Sequence, residues 1–123
     1  MDPIWRLQSE VMKILASPRR LEILHLLAGE PKEVGRLAEA MGISQPNVSQ
    51  HLAVMRAAGI VEAERDGREV RYRLTDPDVI AACSLMRGVL MRRLARLGDL
   101  SERPQPTDDR ALAAASPAGG RLR

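Results

Sequence analysis

The sequence predicts a mainly helical (mainly α) fold that carries one β-hairpin, and three observations support this fold class. Apolar residues recur at helical spacing over most of residues 4–58 and again over residues 79–97. Between these stretches, two runs with alternating apolar and charged residues flank Asp66-Gly67, a dipeptide typical of a tight hairpin turn. Capping and glycine residues at the boundaries divide the helical stretches into five helices, four before the hairpin and one after it.

Local start and stop signals mark the first three helices. Asp2-Pro3 and Ser17-Pro18 each place a capping side chain before a proline, a favoured combination at a helix start. The second helix is expected to stop at Gly29, and a third is expected over roughly residues 34–41. The apolar residues at helical spacing are Ile4, Leu7, Val11, Ile14, Leu15, Leu21, Ile23, Leu24, Leu26, Leu27, Leu37, Ala38 and Met41.

Residues 41–61 have the pattern of a helix-turn-helix that leads directly into a strand. Gly42 is free to take a positive φ and end one helix, Ser44 is a good N-cap for the next, and Gly59 ends that helix. The fourth helix has an apolar face of Val48, Leu52 and Met55 and, on or beside the opposite face, Gln45, Asn47, Ser49, Gln50 and Ala53. Small polar and amide side chains of this kind hydrogen-bond base edges and phosphates in a major groove. Double-stranded DNA is therefore the expected partner, and a merely solvated helix face is the alternative.

The hairpin after Gly59 is predicted from residues 60–65 and 68–74, with Asp66-Gly67 as its two-residue turn. That turn predicts Arg65 opposite Arg68 and Val61 opposite Tyr72, and it allows Arg71 to pair with Glu62 across the ladder. The core-facing residues are then Val61, Ala63, Val70, Tyr72 and Leu74. A hairpin that follows a helix-turn-helix is a wing.

The last helix is expected to open at Asp76-Pro77 and to end near Gly98. It is apolar on more than one side, which exceeds the needs of a single packing surface, so a two-fold dimer through the first and last helices is expected. Residues 1–98 would then form one DNA-binding and dimerisation domain. Beyond them, the Pro- and Gly-containing residues 99–123 are predicted to be a disordered tail.

Composition sets further bounds on the class of protein. The net charge is only +3, and the surplus falls within residues 1–98, so local clustering matters more than total charge. A single cysteine permits no intrachain disulfide, which fits a reducing compartment. No apolar run is long enough to span a bilayer and no signal-peptide pattern opens the chain, so a cytoplasmic protein without membrane attachment is expected.

Four blocks of this sequence, in order, closely resemble the ArsR/SmtB family of winged-helix repressors. They are residues 15–24, 37–52, 59–61 and 66–74, and the match as a whole runs over about residues 4–97. The resemblance implies a homodimeric winged helix-turn-helix that binds an inverted-repeat operator and represses its own or a neighbouring operon. It also implies that Gln45, Ser49 and Gln50 face the groove, with Asn47 at the margin and Pro46 tolerated in the first helical turn.

Charged residues outside the fourth helix are open to two interpretations. Arg65 and Arg68 at the predicted wing tip are expected to reach a phosphate or the minor groove. Arg19 and Arg20 are equally consistent with phosphate contact and with an internal ion pair, for example with Glu22. His25 and His51 are interpreted as packed, hydrogen-bonded histidines, with a base or phosphate contact as the alternative for His51. Neither has a partner in a recognisable catalytic motif, so no enzyme activity is expected.

Metal sensing, which the family name suggests, is not expected. Where family members with a site near the third helix carry cysteines, this chain has residues 32–37 without one, and the last helix has Asp78 but no histidine. No metal and no cofactor are therefore predicted. Cys83 is interpreted as a small buried hydrophobe, with a thiol-based redox or persulfide sensor as the alternative. The effector is not predicted, and a winged-helix protein-interaction module without DNA binding is a further alternative function.

Overall fold

Five helices and a small sheet make up the part of the chain that the structure describes. The structure is a computed structural model, and it describes residues 2–101, with side chains up to Gly98. Its elements are α1 (Pro3–Leu15), α2 (Pro18–Leu26), β1 (Lys32–Glu33), α3 (Val34–Met41), α4 (Gln45–Ala57), β2 (Val61–Asp66), β3 (Glu69–Leu74) and α5 (Asp78–Ser101). This order confirms the predicted helices and hairpin and adds one short strand, β1.

The first two helices begin at the predicted caps. A carboxylate oxygen of Asp2 accepts a hydrogen bond of 2.9 Å from the backbone N–H of Ile4, and Ser17 Oγ accepts one of 3.3 Å from the backbone N–H of Arg20. In both helices proline follows the cap, where its missing N–H costs no intrahelical bond. Helix α2 ends at Leu26, and Gly29 takes a φ of +99° in the turn that follows.

An aliphatic core holds α2, α3, α4 and the hairpin strands β2 and β3 together. Its buried side chains are Ile23, Leu24, Leu27, Leu37, Ala38, Met41, Val48, Leu52, Met55, Ile60, Val61 and Leu74. Among the described residues, no polar or charged side chain is classed as buried with them. Burial of apolar surface is therefore what fixes the orientation of α4, because its only buried residues are the three predicted ones.

The sheet has three antiparallel strands in the order β1-β3-β2. Strand β1 pairs Lys32 with Tyr72 and Glu33 with Arg71, and the Lys32 ammonium donates a 2.6 Å hydrogen bond to the Leu26 carbonyl. The strand was not predicted, because two charged residues carry no alternation that a pattern search could detect.

The predicted register of the wing was wrong by two residues. Val61 lies opposite Leu74 rather than Tyr72, Arg65 lies opposite Val70 rather than Arg68, and Gly67 is the first residue of the turn. The predicted register would oppose like charges at Glu64 and Glu69 as well as at Arg65 and Arg68, whereas the observed one places Glu64 opposite Arg71. Gly67, with a φ of +66°, supplies the positive φ that the first turn position requires.

Contacts divide the chain into two units, residues 1–76 and a second unit that begins at Pro77 and contains α5. Helix α5 starts at Asp78, two residues after the expected opening, and runs to Ser101, past the expected end near Gly98. The predicted tail therefore lies, except for the end of this helix, outside the described residues. The boundary between domain and tail at residue 98 stays a prediction.

Within residues 2–101, no helix is long and apolar enough to cross a membrane.

Candidate nucleic-acid interface

The turn between α3 and α4 is built as the sequence predicts. Gly42 takes the left-handed conformation, with φ +69° and ψ +31°, and its N–H donates a hydrogen bond of 2.8 Å to the Ala38 carbonyl. Ser44 then caps α4, because its Oγ accepts a hydrogen bond of 3.3 Å from the backbone N–H of Asn47. These two residues set where α4 begins and thus which of its residues lie in its first turn.

Helix α4 separates a buried face from an exposed one. Val48, Leu52 and Met55 have no solvent-accessible surface. The exposed residues of its first two turns are the five predicted for DNA contact on this helix: Gln45, Pro46, Asn47, Ser49 and Gln50. Four of these residues carry an amide or a hydroxyl group, which can donate and accept hydrogen bonds, whereas the proline side chain can do neither. The exposed face therefore offers hydrogen-bonding groups to a partner in front of the helix.

The wing carries four arginines, and two of them form ion pairs with neighbouring glutamates. Arg73 forms ion pairs with Glu62 and with Glu64, the latter at 3.1 Å, so the predicted partner of Glu62 was wrong. Arg71 instead reaches Glu69 on its own strand at 2.7 Å. Cross-strand pairing and the same-strand pair thus neutralise the wing along most of its length.

Arg65 and Arg68 differ from these two arginines. Both are exposed, and within the described part of the chain neither has an ion pair or a side-chain hydrogen bond. Arg68 lies in the turn beside Gly67, and Arg65 lies three residues before it near the end of β2. The two wing arginines without an ion pair in the described structure therefore lie at the wing tip, where Asp66 offsets part of their charge.

Behind α4, Arg20 connects three helices. Its Nε donates a hydrogen bond of 3.2 Å to Nδ1 of His51 on α4, and its Nη1 donates one of 3.0 Å to the carbonyl of Ile14 near the end of α1. Burial first, and then the positive charges of Arg20 and Arg19, lower the pKa of His51 below 6.5. His51 is thus hydrogen-bonded within the protein, as predicted. Nothing in the sequence pattern indicated its partner.

Arg19 and the second histidine also have partners within the protein. Nη1 of Arg19 lies 3.7 Å from a carboxylate oxygen of Glu22, one turn along α2. This ion pair is one of the two interpretations that the sequence allowed. His25 approaches the Leu21 carbonyl through Nδ1 at 2.9 Å. Its Nε2 is buried without a hydrogen-bond partner in the described structure.

Cys83 is a free, half-buried cysteine on α5. Burial raises the pKa of its thiol, which disfavours the thiolate that reacts with oxidants and soft metals. Over the described residues, no group of three or more His, Cys, Asp or Glu side chains is arranged to hold a metal ion.

Comparison with known proteins identifies the family. The family described as "Bacterial regulatory protein, arsR family" matches residues 17–63. An uncharacterized HTH-type transcriptional regulator of Mycobacterium tuberculosis, Rv0081, is 39% identical over 104 residues, which is 80% of this chain and 91% of the relative. The chain belongs to the ArsR family of bacterial regulatory proteins. This ArsR-family protein is accordingly a DNA-binding transcriptional regulator.

Solved structures of related proteins share the fold of this ArsR-family chain. The crystal structure of Rv0081 superposes with a TM-score of 0.69 at 38% identity and covers 78% of this chain and 97% of that one. The homodimeric winged helix-turn-helix DNA-binding domain of Mycobacterium bovis Mb0332 gives a TM-score of 0.66 at 30% identity, over 85% and 92% of the two chains. The repressor SmtB of M. tuberculosis is 46% identical over 67 residues, 54% of this chain and 50% of SmtB. The predicted winged helix-turn-helix fold is therefore confirmed.

Proposed function

We propose that the protein is a homodimeric repressor that binds an inverted-repeat operator and acts on its own or a neighbouring operon. The observation that carries this proposal is the exposed polar face of α4, held outward by three fully buried residues on the opposite face. A helix presented in this way fits the major groove of B-form DNA, whose base edges offer a distinct pattern of donors and acceptors for each base pair.

In this proposal, the N-terminal half of α4 reads the bases. Gln45, Ser49 and Gln50 contact base edges, while Asn47 and the backbone beside Pro46 lie at the margin of the groove. An amide side chain offers a donor and an acceptor together, so a glutamine can recognise adenine through two hydrogen bonds. The positive end of the α4 dipole also lies at this terminus, where it favours a nearby phosphate.

Arg65 and Arg68 position the wing on the backbone or in the minor groove. Their guanidinium groups are exposed and unpaired within the described structure, so binding a phosphate would break no internal ion pair. Arg71 and Arg73 lack this freedom, because a phosphate contact would compete with Glu69 in one case and with Glu62 and Glu64 in the other.

A second copy of the chain is the proposed partner of the apolar residues left exposed on α1 and on α5. On these two helices the large exposed apolar residues are Ile4, Trp5, Leu7 and Met12 of α1 and Leu85, Met86, Val89, Leu90, Met91, Leu94 and Leu97 of α5. Exposed apolar groups of this extent are typical of an interface. The relative Mb0332 is homodimeric in its solved structure, which supports the same assembly here. A two-fold dimer would present two copies of α4, one to each half of an inverted repeat.

Selection from a random pool of duplexes tests the proposal directly. We expect sequencing of the retained fragments to show one inverted repeat, with half-site centres about 10 base pairs apart or a multiple of that spacing. The selected site, placed over a promoter, should lower transcription of a reporter when the protein is present. Higher transcription would contradict repression, and an unenriched pool would indicate a protein-interaction module.

A further inference from the structure

Gly35 is the second residue of α3, and its backbone conformation does not require a glycine. Glycine within a helix lowers stability relative to alanine, because it adds conformational freedom to the unfolded chain. The usual compensation is a positive φ, which Gly29, Gly42, Gly59 and Gly67 adopt and Gly35 does not. What a side chain at this position would meet therefore depends on its surroundings.

One group from α4 lies where a side chain at Gly35 would begin. A Cβ atom built on Gly35 would lie 3.4 Å from Nε2 of Gln45, and that amide nitrogen is the one heavy atom found within 4 Å of it among the described residues, apart from its own chain neighbours and helix backbone. This separation is at the lower limit of ordinary van der Waals contact. Gln45 is the first residue of α4 and is exposed, so its amide lies across Gly35 at the edge of the proposed DNA-reading face.

We propose that Gly35 is a specificity-determining position of this regulator, because the space it leaves sets where the Gln45 amide lies. The inference rests on the proposed function, in which Gln45 contacts a base edge. Gly35 is then a positioning residue: it touches no DNA and acts through Gln45. Hydrogen bonds to a base weaken steeply with misalignment, so moving the amide by a fraction of an ångström should alter base preference at one position of each half-site.

Substitution at Gly35 should displace the amide in graded steps. Gly35→Ala adds only the Cβ, which meets Nε2 at its contact limit, so a small effect is expected. Gly35→Val adds two γ-carbons that cannot turn away freely, because valine in a helix has essentially one χ1 rotamer. Ala40→Val is the matched control, since Ala40 is exposed on the same helix and the same β-branched side chain is introduced there.

The experiment measures Kd for the selected operator and for a random duplex of equal length at one salt concentration. For Gly35→Val, we expect the ratio of the two affinities to fall about tenfold, the loss of roughly one base-directed hydrogen bond, with the random-duplex Kd unchanged. Gly35→Ala should lower the ratio about twofold to threefold, and Ala40→Val should leave it unchanged. The urea midpoint of Gly35→Ala should not fall, because alanine is the better helix former.

A double-mutant cycle with Gln45→Ala shows whether Gly35 acts through Gln45. In the Gln45→Ala background, Gly35→Val should cause no further loss of specificity. If Gly35→Val does not fold, the same cycle with Gly35→Ala decides. A folded Gly35 variant with unchanged specificity beside a Gln45→Ala variant that loses it would overturn this inference alone. Should Gln45→Ala also keep full specificity, the inference fails too, and Ser49→Ala and Gln50→Ala then decide whether α4 reads DNA at all.

Discussion

Arg20 and His51, 31 residues apart in the chain, are joined by a hydrogen bond of 3.2 Å from Nε to Nδ1. Because Arg20 also donates to the Ile14 carbonyl, one side chain connects the end of α1, the start of α2 and helix α4. The ring of His51 accepts this bond only while Nδ1 is unprotonated. The contact that supports α4 from behind is therefore sensitive to pH.

The first prediction concerns stability below neutral pH. The folded-state pKa of His51 lies below its ordinary value of 6.5, so the unfolded chain binds the proton more readily. The contribution of His51 to the free energy of unfolding is thus complete above about pH 6.5 and is lost as the pH falls through the folded-state pKa. Urea titrations from pH 8 to pH 5 should show this loss, and His51→Asn, which keeps an acceptor but binds no proton, should lack that step.

Arg20→Ala should be destabilising at every pH in that range. It removes both hydrogen bonds at once, for which we expect a loss of about 1–2 kcal/mol in the free energy of unfolding at pH 7. Arg19→Ala is the matched control, because its ion pair with Glu22 is longer and half exposed and should contribute far less. Equal losses for the two variants would show that the Arg20 contacts add nothing specific.

The next prediction separates base reading from simple attraction to DNA. Gln50→Ala or Ser49→Ala should weaken binding to the selected operator by about 1–3 kcal/mol, because each removes hydrogen bonds directed at a base edge. Affinity for a random duplex should hardly change, since phosphate contacts supply it. Gel-shift titrations on both duplexes provide the measurement. An equal loss on the two would contradict the assignment.

Local signals predicted the geometry of the helix-turn-helix, whereas contacts between residues far apart in the chain were not predicted. Gly42 and Ser44 act within a few residues of themselves, so the start of α4 could be read from the sequence. The wing register depends on which residue takes the positive φ in the turn, and Asp66-Gly67 allowed an arrangement that the structure does not adopt. The hydrogen bond between Arg20 and His51 and the position of the Gln45 amide beside Gly35 each involve two different helices, and no periodicity in the sequence indicates them.

The wing arginines should control affinity without controlling base preference. Arg65→Ala combined with Arg68→Ala should weaken binding to every duplex and flatten the dependence of log K on log salt by about one to two units per wing. Arg71→Ala is the matched control, because that guanidinium is already paired with Glu69 at 2.7 Å and should change the slope less. An unchanged slope in the double variant would place the wing clear of the DNA.

Dimerisation through α5 predicts that one buried charge disrupts the assembly. Leu90→Glu places a carboxylate among the exposed apolar residues of α5, where the proposed dimer would remove it from water, and it should yield a monomer or an unfolded chain in sedimentation experiments. Ala81→Glu is the control: Ala81 is exposed on α5 and lies about two and a half turns before Leu90, on the opposite side of the helix. A Leu90→Glu dimer that persists at micromolar concentration would place the interface elsewhere.

The response of DNA binding to oxidants shows whether the Cys83 thiol is structural or sensory. The pKa of the half-buried thiol is raised by burial, so little of it is thiolate at neutral pH, and reaction with peroxide or persulfide requires the thiolate. We therefore expect operator binding by the wild type to be insensitive to both reagents, as measured by fluorescence anisotropy before and after treatment. Cys83→Ala should lose on the order of 1 kcal/mol in the free energy of unfolding through the missing sulfur volume, with its affinity for the operator unchanged. Release of the treated wild type from DNA, together with retention of the treated alanine variant, would instead make Cys83 the regulatory site.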